Sequence, residues 1–309
     1  MSYITEQKIV LITRQTRADE LLRRFNNMMQ ATFYVEKMGG DISEYIEESR
    51  VYKDVVSVAL EQLQSLAKVQ QLDREYVPSF IFGEDDIVVA IGPDGLVANI
   101  LKYLDNQALI AINPDPSRND GVLLPFNKQD LLSVVKDVIL GHRPRKEITM
   151  AVARLNDGQS LLAVNDLFIG KQSHVSARYK LQIDGQEEHQ SSSGIIISTG
   201  LGSSGWLKSV IAGARGIAGV ITGGEVLGSV STPEWDSDYL YYSVREPFPS
   251  NTTGASLVFG KITDSFLVTS HMPEGGVIFS DGIEQDYLPF TSGMMASIAV
   301  APKKGSLIV

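Results

Sequence analysis

The chain has 309 residues, a net charge of −10 and no cysteine. That composition excludes disulfides, thiolate catalysis, Fe–S clusters and the usual zinc sites, and an acidic chain without a basic face is not built to hold a nucleic-acid backbone. Apolar residues at 43% suffice for a sizeable core, and the length suggests two domains.

The first thirteen residues carry no basic leader, and no run reaches the roughly 18 apolar residues of a membrane span, so a cytoplasmic location without membrane association is expected. Residues 8–13 read as a first strand. Residues 18–30 place Leu21, Leu22, Phe25 and Met29 at helical spacing, and 41–72 predict one long helix or two. Residues 86–91 (DIVVAI) are a continuous apolar strand, punctuated by Gly92-Pro93-Asp94-Gly95. A helix over 96–104 and an apolar strand over 108–113 complete a βαβ unit of the kind buried on both faces of a parallel sheet. A helix over 127–141 follows, with Asn127 or Asp130 as its N-terminal cap. The cluster His142-Arg143-Pro144-Arg145-Lys146 reads as a solvated interdomain loop, with a phosphate-binding patch as the sharper alternative.

Beyond residue 146 helical periodicity gives way to short strand-like runs at 148–155, 161–168, 177–183, 194–198, 239–244, 256–259, 265–270 and 276–279. Turn signals such as Asn156-Asp157-Gly158, Asp184-Gly185 and Asp281-Gly282 separate them. A single helix starts near Ser203. The expected architecture is α/β plus β: a Rossmann-like domain with a parallel sheet over residues 1–145, and a β-rich domain over 146–292. Residues 293–309 are candidates to return to the first domain.

Three segments have the chemistry for a site. Gly92-Pro93-Asp94-Gly95 joins a strand end to a helix start, where unpaired N–H groups and the helix dipole favour anions and a carboxylate can take a proton or hold Mg²⁺. It is equally a common turn sequence. Thr199-Gly200-Leu201-Gly202-Ser203-Ser204-Gly205-Trp206 is a Gly/Ser/Thr loop at a helix start, suited to phosphate or ribose. It contains a formal G-x-G-x-x-G, with Glu225 in the place of a ribose acid, but sits in a β-rich context that does not suit a dinucleotide fingerprint. Asn165-Asp166 interrupts an apolar run, and such groups need partners, either backbone or a nucleotide. The four histidines are scattered without metal-ligand spacing, and no residues are assigned as metal ligands.

In this order and spacing the segments resemble those of the NAD kinases. Gly92-Pro93-Asp94-Gly95-Leu96 stands where that family carries Gly-Gly-Asp-Gly-Thr. Asn165-Asp166 is similar to its Asn-Glu or Asn-Asp pair, and Thr199 through Trp206 to its Thr-Pro-Thr-Gly-Ser-Thr-Ala-Tyr stretch. Residues 108–125 (ALIAINPDPSRNDGVLLP), 164–171, 176–179 and 243–247 are most similar to the mitochondrial-type branch. The resemblance implies phosphoryl transfer from ATP or polyphosphate, with Mg²⁺, to the adenosine ribose 2′-hydroxyl of NAD or NADH. It implies Asp94 as base or hydroxyl orienter and Gly92 and Gly95 at the phosphates. Asn165 and Asp166 would lie at adenine and ribose, and Thr199, Gly202, Ser203 and Ser204 would line the nucleotide loop. It also implies a homodimer or homotetramer. The chain departs from the pattern at Pro93, which offers no N–H, and at Leu96, which offers no hydroxyl, as well as at Gly200 and Trp206. A homologue that binds the dinucleotide without turnover, and a kinase acting on a sugar or lipid hydroxyl, are the alternatives.

Overall fold

The computed structural model describes residues 3–224, 230–264 and 266–309 and divides into two compact units. The first comprises Met1–Lys146 and Ser306–Val309, the second Glu147–Gly305. Glu225 lies outside the described residues, as does Ser265.

The first unit opens with β1 (Ile9–Thr13), α1 (Arg17–Phe25), α2 (Met28–Lys37), α3 (Ile42–Gln64) and β2 (Val69–Asp73). It continues with β3 (Ile87–Ile91), α4 (Asp94–Leu101), β4 (Leu109–Asn113), β5 (Phe126–Asn127) and α5 (Leu131–Ile139). The strands pair in parallel in the order β2-β1-β3-β4-β5, and Leu307 adds a parallel partner to Leu109. Ile9–Ile12, Ile87–Ile91 and Leu109–Ile112 are all but inaccessible to solvent. The continuous apolar runs reflect that burial, each side chain contributing about 1.5–3 kcal/mol relative to exposure.

Several sequence expectations are revised here. The predicted helix over 18–30 breaks at Asn26, whose backbone is left-handed (φ 54°), and Asn27 caps a second helix through its side-chain oxygen. The long helix stops at Gln64, and the residues after it form β2, a polar edge strand. Asp130 stands at the start of α5 without a side-chain cap, its carboxylate accepting instead from the Asn127 N–H. The basic cluster is not all loop, because Arg145 and Lys146 begin the next strand.

That strand is β6 (Arg145–Leu155). It leads into β7 (Ser160–Ala163), β8 (Asp166–Lys171), β9 (Ala177–Ile183), β10 (Gln186–Ser192), β11 (Ile195–Ser198) and α6 (Trp206–Thr222). After them come β12 (Leu240–Val244), β13 (Phe259–Ile262), β14 (Phe266–Ser270), β15 (Gly276–Ser280), β16 (Ile283–Pro289) and β17 (Met295–Ile308). One layer of the second unit runs β10-β9-β14-β17, with β6 on β17 and β7 on β6. The other is an all-antiparallel sheet, β13-β12-β11-β8-β15-β16. Alternate residues from both layers, among them Tyr179, Leu181, Phe266 and Val268 from one and Leu167, Ile169, Ile195 and Ile197 from the other, fill a common core. The run at 161–168 is two strands rather than one, and the predicted strand at 256–259 is displaced to Phe259–Ile262.

Candidate active site

In the first unit the chain order reverses across the sheet at β1 and β3, so their carboxyl ends form the crevice where ligands settle in open α/β folds. The capping box of Thr16 with Asp19 starts α1 directly beyond β1 and fixes Arg14 and Arg17 at this rim. Tyr52 of α3 latches the rim. Its hydroxyl accepts from the Arg14 N–H at 2.8 Å and donates to the Ile91 carbonyl at 2.9 Å, and burial pushes its pKa up to about 12.

Beyond β3, Asp94 is the first residue of α4, partly exposed, and its Oδ1 accepts from the Leu123 N–H at 2.6 Å. That bond fixes the carboxylate at a helix N-terminus, where negative charge is favoured. Neither motif glycine has a positive φ. Gly92 serves packing, because a Cβ there would stand 2.5 Å from Cδ2 of the buried Leu96. At Gly95 a Cβ would meet open space.

A crevice of about 350 Å³ opens beside Pro93, lined also by Arg14, Arg17, Glu48, Asp115 and Arg118. Glu48 bridges Arg14 Nη2 at 2.8 Å and Arg17 Nε at 2.5 Å. Burial opposes ionisation of Glu48, but the hydrogen bonds from both arginines outweigh it and hold the carboxyl below its ordinary value. Arg14 and Arg17 did not stand out in the sequence, whereas Arg118 lies in the segment 108–125 that resembles the mitochondrial-type branch. The apolar run of β1 and the Asp-Pro-Ser-Arg turn after β4 were the available signals.

In the second unit six of the sequence-derived residues gather. Asn165 lies at the break between β7 and β8, and Asp166 starts β8 opposite Ser198 of β11. Thr199 is fully buried; its hydroxyl donates to the Val164 carbonyl at 2.6 Å, its N–H to the Asn165 carbonyl at 3.0 Å, and it accepts from the Gly202 N–H at 3.2 Å. Ser203 and Ser204 donate to the carbonyls of Gly200 and Leu201. The loop is therefore ordered by its own hydroxyls.

Gly202 is where backbones meet. A Cβ there would lie 2.2 Å from the Asn165 carbonyl oxygen and 2.8 Å from Asp166 Oδ1. Gly200 has a similar cause, since a Cβ would lie 1.9 Å from the Glu234 carbonyl oxygen. Trp206 stacks on Phe168 at 5.7 Å between ring centroids, with the Arg245 guanidinium 5.5 Å from the indole.

Asp281 was legible only as a turn residue, yet it organises this cluster. From a left-handed backbone (φ 53°) its carboxylate accepts from the N–H groups of Val164, Asn165 and Asp166 at 2.6–3.3 Å. Asp166 Oδ1, by contrast, is buried and has no hydrogen-bond partner. Burial drives the Asp166 carboxyl up to about 7; the Ser198 hydroxyl pulls it down and the Asp281 charge adds to the rise. A cavity of about 380 Å³ adjoins the same loop, lined by Ser203, Ser204, Lys208, Ser231, Thr232 and Tyr241 among others. Asn165, Asp166 and Thr199 are not part of its wall.

Among the described residues no three histidine or acidic side chains form a metal-binding group, although His189 and His271 stack at 5.3 Å. No described helix is long and apolar enough to cross a membrane.

The fold is that of a two-layer β unit attached to a parallel α/β unit, and this is the NAD kinase fold. No family model and no curated protein matches the chain, but solved structures do. An NAD kinase from Archaeoglobus fulgidus in complex with ATP is similar over 98% of this chain and 94% of its own, with a TM-score of 0.59 and 16% identity. Yeast NADH kinase complexed with NADH is similar over 99% and 84% respectively, with a TM-score of 0.61 and 13% identity.

Proposed function

We propose that this chain belongs with the NAD kinases and transfers the terminal phosphoryl group of ATP or polyphosphate to the adenosine ribose 2′-hydroxyl of NAD or NADH. The observation that carries the reading is the buried, unpartnered Oδ1 of Asp166 beside the Gly202 cradle. An orphaned buried oxygen beside an ordered Gly/Ser loop is an acceptor suited to a sugar hydroxyl or an adenine amino group. Asn165, Thr199, Ser203 and Ser204 are assigned to the same proposed dinucleotide site. The ligands named for the two neighbours, ATP and NADH, support the same pair of substrates.

In the reaction the ribose oxygen forms a bond to the terminal phosphorus, the bond to the bridging oxygen breaks, and the nucleoside diphosphate or shortened polyphosphate departs. Asp94 orients the 2′-hydroxyl and takes its proton, and Gly95 leaves room for the donor phosphates. Mg²⁺, which supplies charge neutralisation when bound, fits as a companion of the phosphates rather than as a guest of a protein cage. A homodimer or homotetramer and closeness to the mitochondrial-type branch belong to the same proposal.

Incubation with NAD or NADH, Mg²⁺ and ATP or polyphosphate should yield NADP(H). Asp94→Asn should lower kcat by about 10²–10⁴-fold while calorimetric NAD affinity holds, and Asp166→Ala should weaken NAD affinity itself. No product from either dinucleotide with any donor removes the reading. A second reading, binding without turnover, is favoured by Pro93 and the buried Leu96, which strip a donor N–H and a hydroxyl from the motif. It requires NAD binding with no product.

A further inference from the structure

The crevice at the carboxyl ends of β1 and β3 takes Arg14, Arg17 and Glu48 from outside the segments that carry the resemblance, and Pro93, Asp115 and Arg118 from within them. It holds three guanidinium groups against two carboxylates, in a chain whose net charge is −10. Arg14 is largely buried, and its Nε has no hydrogen-bond partner. Arg17 engages Glu48 through Nε and lies 4.1 Å from the Tyr45 ring centroid. Arg118, held by the turn at Asp115, contacts that carboxylate at 3.4 Å and the Glu44 carbonyl at 3.3 Å. The Glu48 carboxylate, bridging two arginines, occupies a place shaped for an oxyanion. The wall offers no open ring for a base, because the Tyr52 ring is buried and has the Arg14 guanidinium 5.1 Å from its centroid. Planar forks in a cleft of this size suit a chain of phosphates rather than a nucleoside.

We infer that this crevice holds the polyanionic tail of the phosphate donor, with Arg14, Arg17 and Arg118 replacing the backbone N–H and hydroxyl that Pro93 and Leu96 do not provide. The inference rests on the proposed phosphoryl transfer for the word donor, but the anion site itself does not depend on turnover. Pro93 places the crevice one residue from Asp94, and Glu48 is the internal competitor that a phosphate must displace.

The test is calorimetric titration of the full chain with inorganic tripolyphosphate and, separately, with ATP, each with and without Mg²⁺. Arg17→Gln and Arg118→Gln should each weaken tripolyphosphate about 10-fold or more, the scale of a lost charge-assisted hydrogen bond. ATP should weaken in parallel if its phosphates occupy the same place. Glu48→Gln should tighten both ligands, and this opposite sign cannot come from misfolding. Unchanged affinity in the arginine variants, or no tripolyphosphate binding by the wild type, overturns the inference even if NADP is formed. Arginine-dependent binding without any NADP leaves the crevice assigned and refutes the proposed reaction instead.

Discussion

Asp166→Asn offers a sharp test of the second unit's cluster, because its effect on stability has a defined sign and pH range. The ordinary carboxyl value is 3.8, and burial beside Asp281 lifts that of Asp166 to about 7. An acid raised in the folded state binds more protons folded than unfolded between these values, so it costs stability as pH rises from about 4 to 7 and costs a constant amount above. About three pKa units correspond to about 4 kcal/mol as an upper bound. Asp166 keeps some solvent access, which screens part of this and leaves about 1–3 kcal/mol. Asparagine retains the shape and an acceptor but has no charge to desolvate. The variant should therefore match the wild type near pH 4 and exceed it by that margin at pH 8. Urea unfolding at pH 4, 6 and 8 measures the difference, and NAD titration of the same samples should show weakened binding. A stability gap that is constant with pH, or that closes as pH rises, refutes the account of Asp166 as a desolvated carboxyl.

Gly202→Ala sets a Cβ 2.2 Å from a backbone carbonyl, so it should destabilise by about 1–3 kcal/mol or more and abolish NAD binding; calorimetry and urea unfolding read both. Asp281→Ala leaves the Val164 and Asn165 N–H groups without their acceptor, at a cost of about 1–3 kcal/mol for each group kept from water. It also removes a charge that raises Asp166, so an NMR titration should find the Asp166 carboxyl moved down. Gly92→Ala should cost about 1–3 kcal/mol by overpacking and much less in a Leu96→Thr background, a coupling that a double-mutant cycle detects. Glu48 is held below its ordinary 4.5 by Arg14 and Arg17 despite burial. It contributes stability above about pH 4.5 that is lost as pH falls through its folded value, so Glu48→Gln should flatten the acid limb of the unfolding curve.

The parallel sheet was legible because strands buried on both faces are apolar runs: β3 is apolar throughout, and β1 and β4 are so up to their last residues, Thr13 and Asn113. The edge strand β2, Val-Gln-Gln-Leu-Asp, carries no such mark because half of it faces water. Its strand character comes from pairing with β1, a contact 60 residues away in sequence. The run at 161–168 read as one strand because apolar residues flank Asn165-Asp166 on both sides, but Asp281 takes the N–H groups of residues 164–166 and ends the ladder there. Local pattern could not reveal that, since the partner lies more than 110 positions on. The arginine crevice was hidden for the same reason: Arg14, Glu48 and Arg118 come from three separate segments, and only the fold gives them a common rim.

The altered motif of the first unit is better understood as a repacked loop than as a damaged one. Leu96 is 2% exposed, and its Cδ2 fills the space that a side chain on Gly92 would need. Threonine there would surrender apolar contact, so the leucine stabilises the very turn that presents Asp94. Pro93 is compatible with the same turn, because it precedes the first residue of α4, where a missing N–H breaks no helical bond. What the two residues lack is an N–H at position 93 and a hydroxyl at position 96, two donors that a phosphate could use. A chain that keeps the aspartate in place while giving up those donors needs phosphate ligands from elsewhere if it is to transfer a phosphoryl group, and the guanidinium groups beyond β1 and β4 are the side chains at the same rim with that chemistry.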